Sequence, residues 1–484
     1  MARATLSLGV GSYESLTKPF AAQRCVNLFT VASQAEAWSP YLLHSAPGVV
    51  EFANVGAGSS RGAVVMGGVY YLVSGNTLFE IDEFGAETAR GTITGTARVS
   101  MAHNGDKLCI VVPGGDAYQY QASTTTLTQI TDPDFRLADT VCFGWGYYIF
   151  TATAGDVFFI SALNDPLTYN ALDFGSAEIS PDKIVACHIS YSELYVLGGE
   201  TVEAFQNVGG ADFPFQRIPG ASFEKGTRSK YSTIQWEGAF YFVGGGRNER
   251  TVILRASGGQ NPETISTDAI ASEIQKFTAG EIAESASFTY SVGGVSFVGF
   301  TFRSVNIPSR TFVYNVTASR TMGRHVWHEQ QTGVTENAWR AESVDFVYNK
   351  LLVSDNVDGR VGFLDSDVFT EYGETWAREK TTGPFKSNGG SIYCNALELT
   401  AETGVGNIVA PGVDPQVMMS YSDDGARTFS DEFKRSLGKI GEYNKRIVWR
   451  RQGRIPTNRV WRFRVTDPVQ VAFIKLEGEL QVGR

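Results

Sequence analysis

The sequence predicts an all-β protein: a six- or seven-bladed β-propeller with an N-terminal arm and a C-terminal β-sandwich-like module. Glycine-bearing breaks return about every 40 to 46 residues, at Gly75, Gly115, Gly155, Gly199 and Gly245, with looser ones near Asn306 and Asp358. Aromatic or β-branched runs flank each break, as Tyr70-Tyr71-Leu72-Val73 and Leu78-Phe79-Glu80-Ile81 flank Gly75. Two such runs joined by a glycine turn make a hairpin, and one hairpin per repeat at this spacing marks the heart of a four-stranded blade. The composition agrees, with 52 glycines for turns and 12% aromatic residues for strands.

Taken in order, residues 1–55 read as an arm containing the Pro47-Gly48 turn. Residues 56–381 read as the propeller. Seven hairpins can be counted there, although the sixth is irregular and the arm can contribute strands. One insertion, near 266–288, carries Ile270, Ile274, Phe277 and Ile282 at helical spacing. Ser266 or Thr267 would cap that helix, and Gly280 would end or break it. Residues 382–484 change character. Runs such as Val460-Trp461-Arg462-Phe463-Arg464-Val465 alternate apolar and polar, the signature of a sandwich with one wet face.

Charge is unevenly spread. The chain of 484 residues carries a net −10, yet residues 434–464 hold eleven Lys or Arg and one acid, a local +10, which leaves −20 on the rest. An acidic body with a basic segment is a statement about partners. Within that segment Lys445, Arg446, Arg450, Arg451, Arg454, Arg459, Arg462 and Arg464 form the candidate interface. It would contact an acidic protein or nucleic acid phosphates, or else pair with the chain's own acidic propeller. Sequence-specific DNA reading is not expected, because no groove-reading helix is present.

Other chemistry is sparse. The five cysteines are scattered without a CxxC pair and read as small buried hydrophobes, which suits a reducing cytoplasm. The five histidines do not cluster, and His325 and His328 would fall on opposite faces of a strand, so neither metal nor cofactor is expected. Gly56-Ala57-Gly58 lacks the βαβ context of a dinucleotide loop, and Lys225-Gly226-Thr227 reverses the order of a phosphate loop. Asp423-Asp424-Gly425 reads as an Asp-Gly hairpin turn. No residue stands out as a catalyst. The apolar runs are strand-length and Met1 to Gly9 lacks a signal-peptide pattern, so no membrane span or leader is expected.

Several stretches resemble one family, the packaged-DNA stabilisation or tail nozzle (tail hub) proteins of short-tailed bacteriophages. Arg24-Cys25-Val26-Asn27-Leu28-Phe29 with Leu42-Leu43-His44-Ser45-Ala46-Pro47-Gly48 is similar to its opening, and Arg98-Val99-Ser100-Met101-Ala102-His103 to its second repeat. A central block ends in Leu197-Gly198-Gly199-Glu200-Thr201-Val202-Glu203-Ala204-Phe205. The nearest similarity is Lys445-Arg446-Ile447-Val448-Trp449-Arg450-Arg451-Gln452-Gly453-Arg454-Ile455.

The resemblance implies a virion tail protein assembled in the host cytoplasm as a homo-oligomer, a hexameric ring below the portal/adaptor ring. That ring would continue the DNA channel and, with a tail plug or needle, retain genomic DNA until ejection; tail fibres or spikes would dock nearby. Six such chains would carry −60, repelling rather than holding the passing polyanion. Two rivals stand beside this reading. A glycan-degrading or glycan-binding tail propeller needs groups that converge at one pore mouth. The other is a cellular adaptor of the WD40 or kelch type, against which the Gly-His and Trp-Asp marks of WD40 blades are missing.

Overall fold

The computed structural model describes residues 2–18, 20–56, 58–153, 155–177, 182–210, 213–257, 261–386 and 391–482. The predicted glycine breaks lie between the second and third strands of a blade, as Gly75 lies between Val69–Ser74 and Thr77–Ile81, except that Gly245 is the last residue of its strand, Ala239–Gly245. The adjoining strands carry the large apolar side chains. Tyr70 and Leu72 are buried on one side and Tyr71 and Val73 on the other, so each blade packs against both neighbours. Among the described residues seven blades form, spanning 60–92, 100–129, 138–176, 184–223, 226–264, 286–330 and 341–365.

Blade 7 supplies only three of its own strands. Its fourth is Gly48–Asn54 from the N-terminal region, which pairs antiparallel with Arg360–Asp365 and closes the ring. Successive blades touch mainly through their first strands, which surround the axis. One axial mouth is tied shut. Arg98, entering blade 2, lies with its guanidinium 4.9 Å from the Tyr231 ring of blade 5, and the Tyr231 hydroxyl donates to the Arg98 carbonyl at 2.9 Å. Blades 2 and 5 face each other, so this contact spans the axis. Arg98 also pairs with Glu342 of blade 7, which accepts a second bond from Arg303 at 3.2 Å.

The C-terminal strands form a sandwich that is fused to the ring. One sheet has six strands: Leu28–Ala32, Tyr41–Ser45, Ala472–Val482, Ile392–Ala401 and Ile447–Ile455, with Ala2–Leu6 paired to Ala472–Val482. The facing layer, Arg378–Thr381, Asn458–Val465, Gln416–Ser422 and Phe433–Ser436, belongs to an eleven-stranded sheet that runs on into blade 6. Leu43, Leu397, Trp449, Trp461, Phe463 and Phe473 fill the space between.

Continuity between ring and sandwich comes from Ala22–Val26. This strand pairs parallel to Trp327–Gln330 of blade 6 and antiparallel to Arg378–Thr381 of the sandwich. Buried Glu329 receives Arg24 through Nε at 3.2 Å and Nη2 at 3.0 Å, and Arg310 at 2.9 Å. Burial alone would raise the Glu329 pKa, but the two guanidinium groups hold it below the usual range. The next turn depends on Asn27, fully buried at φ 51°, a region where asparagine is favoured among residues with side chains. Its amide donates to the carbonyls of Gln331 and Ala377 at 3.0 and 2.8 Å and accepts from the Gln331 N–H at 2.9 Å.

The single helix expected near 266–288 is two. Helix α1, Asp268–Ile274, is capped by Thr267, and α2, Ala279–Ala283, by Thr278 in a capping box with Glu281. Thr278 is held in the extended region by that box, so it interrupts the helix before Gly280, which sits inside α2. Helix α3, Val316–Met322, capped by Asn315, has no counterpart in the sequence reading. Of the glycine motifs, Ala57 lies outside the described residues, while Gly226 and Thr227 form a buried inner pairing of blade 5 with no helix after them.

Two outcomes follow from this architecture. Asn27→Ala strands three buried hydrogen-bonding groups at the junction and is expected to lower the unfolding free energy by about 3 kcal/mol. Urea unfolding should show the change; an unaltered midpoint would contradict the role given to Asn27. The second concerns Glu371, in the segment that clamps the closing strand through Thr370 O to Val49 N and Tyr372 N to Val49 O. Glu371 is buried and accepts from the Trp339 indole at 3.0 Å, and burial pushes its pKa up to about 7. The native pKa lies above the unfolded one, so the group is harmless below about pH 4, where both states hold the proton. As pH rises toward 7 the unfolded state ionises first and stability falls, by about 3 kcal/mol in all. Glu371→Gln should therefore gain about that much over the parent between pH 4 and pH 8 in urea titrations, and parallel pH profiles would count against it.

Candidate functional site, a basic ridge on the sandwich

The strand Ile447–Ile455 buries Ile447, Trp449 and Ile455 in the sandwich core, and period-two alternation turns Val448 and Arg450 outward. The neighbouring Asn458–Val465 does the same with Trp461, Phe463 and Val465 inward and Arg462 and Arg464 more exposed, while Val460 is buried on the opposite side against Ala22 and Ala426. The first of these strands is irregular. Ala396 pairs with Arg450 and Cys394 with Gly453, so Arg451 and Gln452 stand against the single residue Asn395. Such a bulge re-aims side chains. Arg451 (φ 57°) and Gly453 (φ 73°) both adopt left-handed backbone to make it.

Arg459 holds the bulge from inside. Its guanidinium is buried and forms a two-pronged pair with Asp423, both contacts at 2.7 Å. It also donates to the carbonyls of Gln452 at 2.5 Å and Arg454 at 3.0 Å, and it lies 4.1 Å from the Tyr421 ring. Every nitrogen of the fork therefore has a partner, as a buried guanidinium requires. Asp424, the next residue, organises its own loop by accepting from Ser422 Oγ at 2.6 Å and Thr428 Oγ1 at 2.6 Å. These hydrogen bonds hold its carboxyl well below the usual range. The Asp-Gly turn expected here is a longer loop, residues 423–432, between Gln416–Ser422 and Phe433–Ser436.

The eight cations singled out in the sequence do not act as one face. Lys445 pairs with Glu442 at 2.8 Å. Arg446 grips Glu398 with two bonds of 2.8 Å, and Arg3 from the N-terminus reaches the same carboxylate. Arg462 bonds Ser420 Oγ at 3.2 Å and lies over Phe429 at 4.1 Å. Arg464 reaches across to the Val334 carbonyl at 2.6 Å, between blades 6 and 7. With Arg459 these five are committed internally. Arg450, Arg451 and Arg454 are exposed and have no ion-pair partner among the described residues. Arg450 borders a cleft of about 290 Å³ lined by Arg3, Glu398, Glu477 and Glu479, so the free ridge begins where the internal charge ladder ends.

Other candidates are accounted for within the fold. His328 is buried beside the rings of Phe29 and Phe297, and desolvation pushes its pKa down to about 3, so it stays neutral. His325 meets the Tyr314 hydroxyl at 3.2 Å. The cysteines are free thiols, four buried and Cys142 partly so.

A propeller closed by an N-terminal strand and fused to a sandwich is matched by two family descriptions. "Bacteriophage P22 Gp10, beta-propeller" covers residues 4–369, and "Bacteriophage P22 Gp10, beta-sandwich" covers 377–481. The chain belongs to the bacteriophage P22 Gp10 family. The two P22 Gp10 descriptions name the same pair of folds that the sheets form, and the resemblance read from Arg24-Cys25-Val26-Asn27-Leu28-Phe29 and the basic segment stands. A relative, the tail hub protein gp10 of Salmonella phage P22, is 25% identical over 449 residues, 89% of each chain. Solved structures are more distant. The designed protein Ika8 has a TM-score of 0.40 at 12% identity over 71% of this chain and 100% of its own. The N-terminal domain of Nup159 has 0.42 at 10% identity over 71% and 98%.

Removing the carboxylate that balances Arg459 tests how the ridge is held. Asp423→Asn leaves a buried guanidinium short of its counter-charge and is expected to cost about 3 kcal/mol. Hydrogen exchange at residues 450–454 should accelerate as the bulge carbonyls lose their anchor. Unchanged protection there would show that Arg459 does not shape the ridge.

Proposed function

We propose that this chain is a bacteriophage tail hub, or nozzle, protein of the virion tail. Copies form a homo-oligomeric ring, a hexamer, below the portal/adaptor ring. The ring continues the DNA channel and, with a plug or needle, helps retain the packaged genome until ejection. Its role is structural rather than catalytic, and host-cytoplasmic assembly goes with it.

Family membership and the tail hub relative that spans 89% of the chain support the tail assignment. The observation that carries the ring is the tie across the propeller axis. With Arg98 and Tyr231 joined there, a duplex has no route through one propeller, so a conduit has to be enclosed by several copies. Charge favours the same arrangement. The chain outside 434–464 carries −20, which keeps a passing polyanion from sticking to a wall made of that surface. The free cations Arg450, Arg451 and Arg454 would instead meet acidic surface on a neighbouring subunit or the adaptor. The structural role is supported by how three buried acids are spent. Glu329 is bound to Arg24 and Arg310, Asp355 to Arg340, and Glu371 to Trp339.

Reversing the ridge tests this reading without touching the core. Arg450→Glu, Arg451→Glu and Arg454→Glu combined should leave the thermal midpoint of the isolated chain nearly unchanged, since all three side chains are exposed. Incorporation into tails, followed by negative-stain microscopy and infectivity of complemented particles, should fall at least tenfold. Normal tails carrying the triple variant would overturn the assigned contact.

A further inference from the structure

Blade 6 carries an insertion between its outer strands. Its third and fourth strands, Arg310–Asn315 and Trp327–Gln330, are joined through helix α3 and the segment Gly323-Arg324-His325 rather than by a turn alone. The insertion raises a wall against blade 5, and between the two lies a cleft of about 440 Å³, a volume suited to a ligand of sugar size.

The lining is cationic and hydroxyl-bearing. Arg255 comes from blade 5, Arg320 from α3 and Arg324 from the turn that follows it. Glu263 stands 3.6 Å from Arg255, and Glu237 holds Arg320 at 2.6 Å; each orients one guanidinium group. Arg324 has no side-chain partner among the described residues, so the cleft keeps an uncompensated positive charge. Gly323 turns the chain at φ 62° at the end of α3, with nothing within 4 Å of where a Cβ would stand. The floor is formed by Tyr241 and Tyr314, whose ring centroids are 6.5 Å apart. Burial raises the pKa of both phenols, so they stay protonated and able to donate.

We propose that this cleft binds a small oxyanion-bearing ligand of sugar size, a sugar phosphate or sugar acid. The guanidinium forks of Arg320 and Arg324 take the oxyanion, and the tyrosine hydroxyls meet the ring. Planar forks suit both carboxylate and phosphate, so the two sources share one chemistry here. The site is independent of the tail reading, because neither the sandwich nor the ridge contributes to it.

Isothermal titration of the full-length protein with glucose 6-phosphate, glucuronate, inorganic phosphate and glucose separates the outcomes. Binding is expected for at least one of the two anionic sugars, with inorganic phosphate about tenfold weaker and glucose undetected. Arg320→Ala and Arg324→Ala lie at exposed positions and should leave the thermal midpoint intact while weakening binding about tenfold each. Arg324→Lys should recover part of the loss. Failure of both anionic sugars to bind at millimolar concentration overturns the proposal. So does glucose binding as well as glucose 6-phosphate, phosphate binding as well as the sugar phosphate, or unchanged affinity in both alanine variants.

Discussion

Arg24 and Asn27 lie where ring and sandwich share one continuous sheet and have to agree on a common backbone path. The strand that contains Arg24 is hydrogen-bonded to blade 6 on one side and to the sandwich on the other. Its side chain meets Glu329 across the first of these seams, and Asn27 then turns the chain while bonding Gln331 and Ala377. A buried carboxylate between two guanidinium groups is tolerable only when its geometry is complete, so the cluster fixes register more than it adds stability. Because this strand lies at the chain's start and its partners near residues 330 and 380, the two modules cannot separate without unmaking a continuous sheet.

The same N-terminal region closes the propeller. Gly48–Asn54 completes blade 7, and the segment around Glu371 clamps it from outside. Closure and fusion thus depend on one stretch of some fifty residues, while the ties at Arg98 seal one mouth of the ring they create. The consequence for function is geometric. In the proposed hub role, a ring sealed across its own axis serves as a building block, and its outward charges set how blocks meet.

Much of the fold was legible because it is local. Hairpins with glycine turns write their own period into the sequence, and the breaks fell between the middle strands of a blade or, for Gly245, at the end of one. The blade total was not fixed, since the strand that completes blade 7 lies about 300 residues from its partner and carries no local mark of that pairing. The split between α1 and α2 was hidden because Ile270, Ile274, Phe277 and Ile282 keep helical spacing across it. The Thr278–Glu281 capping box was the signal that could have placed the break. In the site, the density of cations was visible but their neutralisation was not. Asp423 and Glu398 lie 36 and 48 residues from Arg459 and Arg446, and only folding brings them together. Of the three cations left over, Arg451 lies in a bulge and Arg450 and Arg454 flank it, and Gly453 was its one sequence trace.

The most direct measurement is electron cryomicroscopy of tails that contain this chain. The account predicts a ring of copies around a lumen wide enough for duplex DNA, each propeller closed at its own axis, with Arg450, Arg451 and Arg454 against a neighbouring chain. Density for DNA along a propeller axis, or those three arginines lining the lumen, would contradict it.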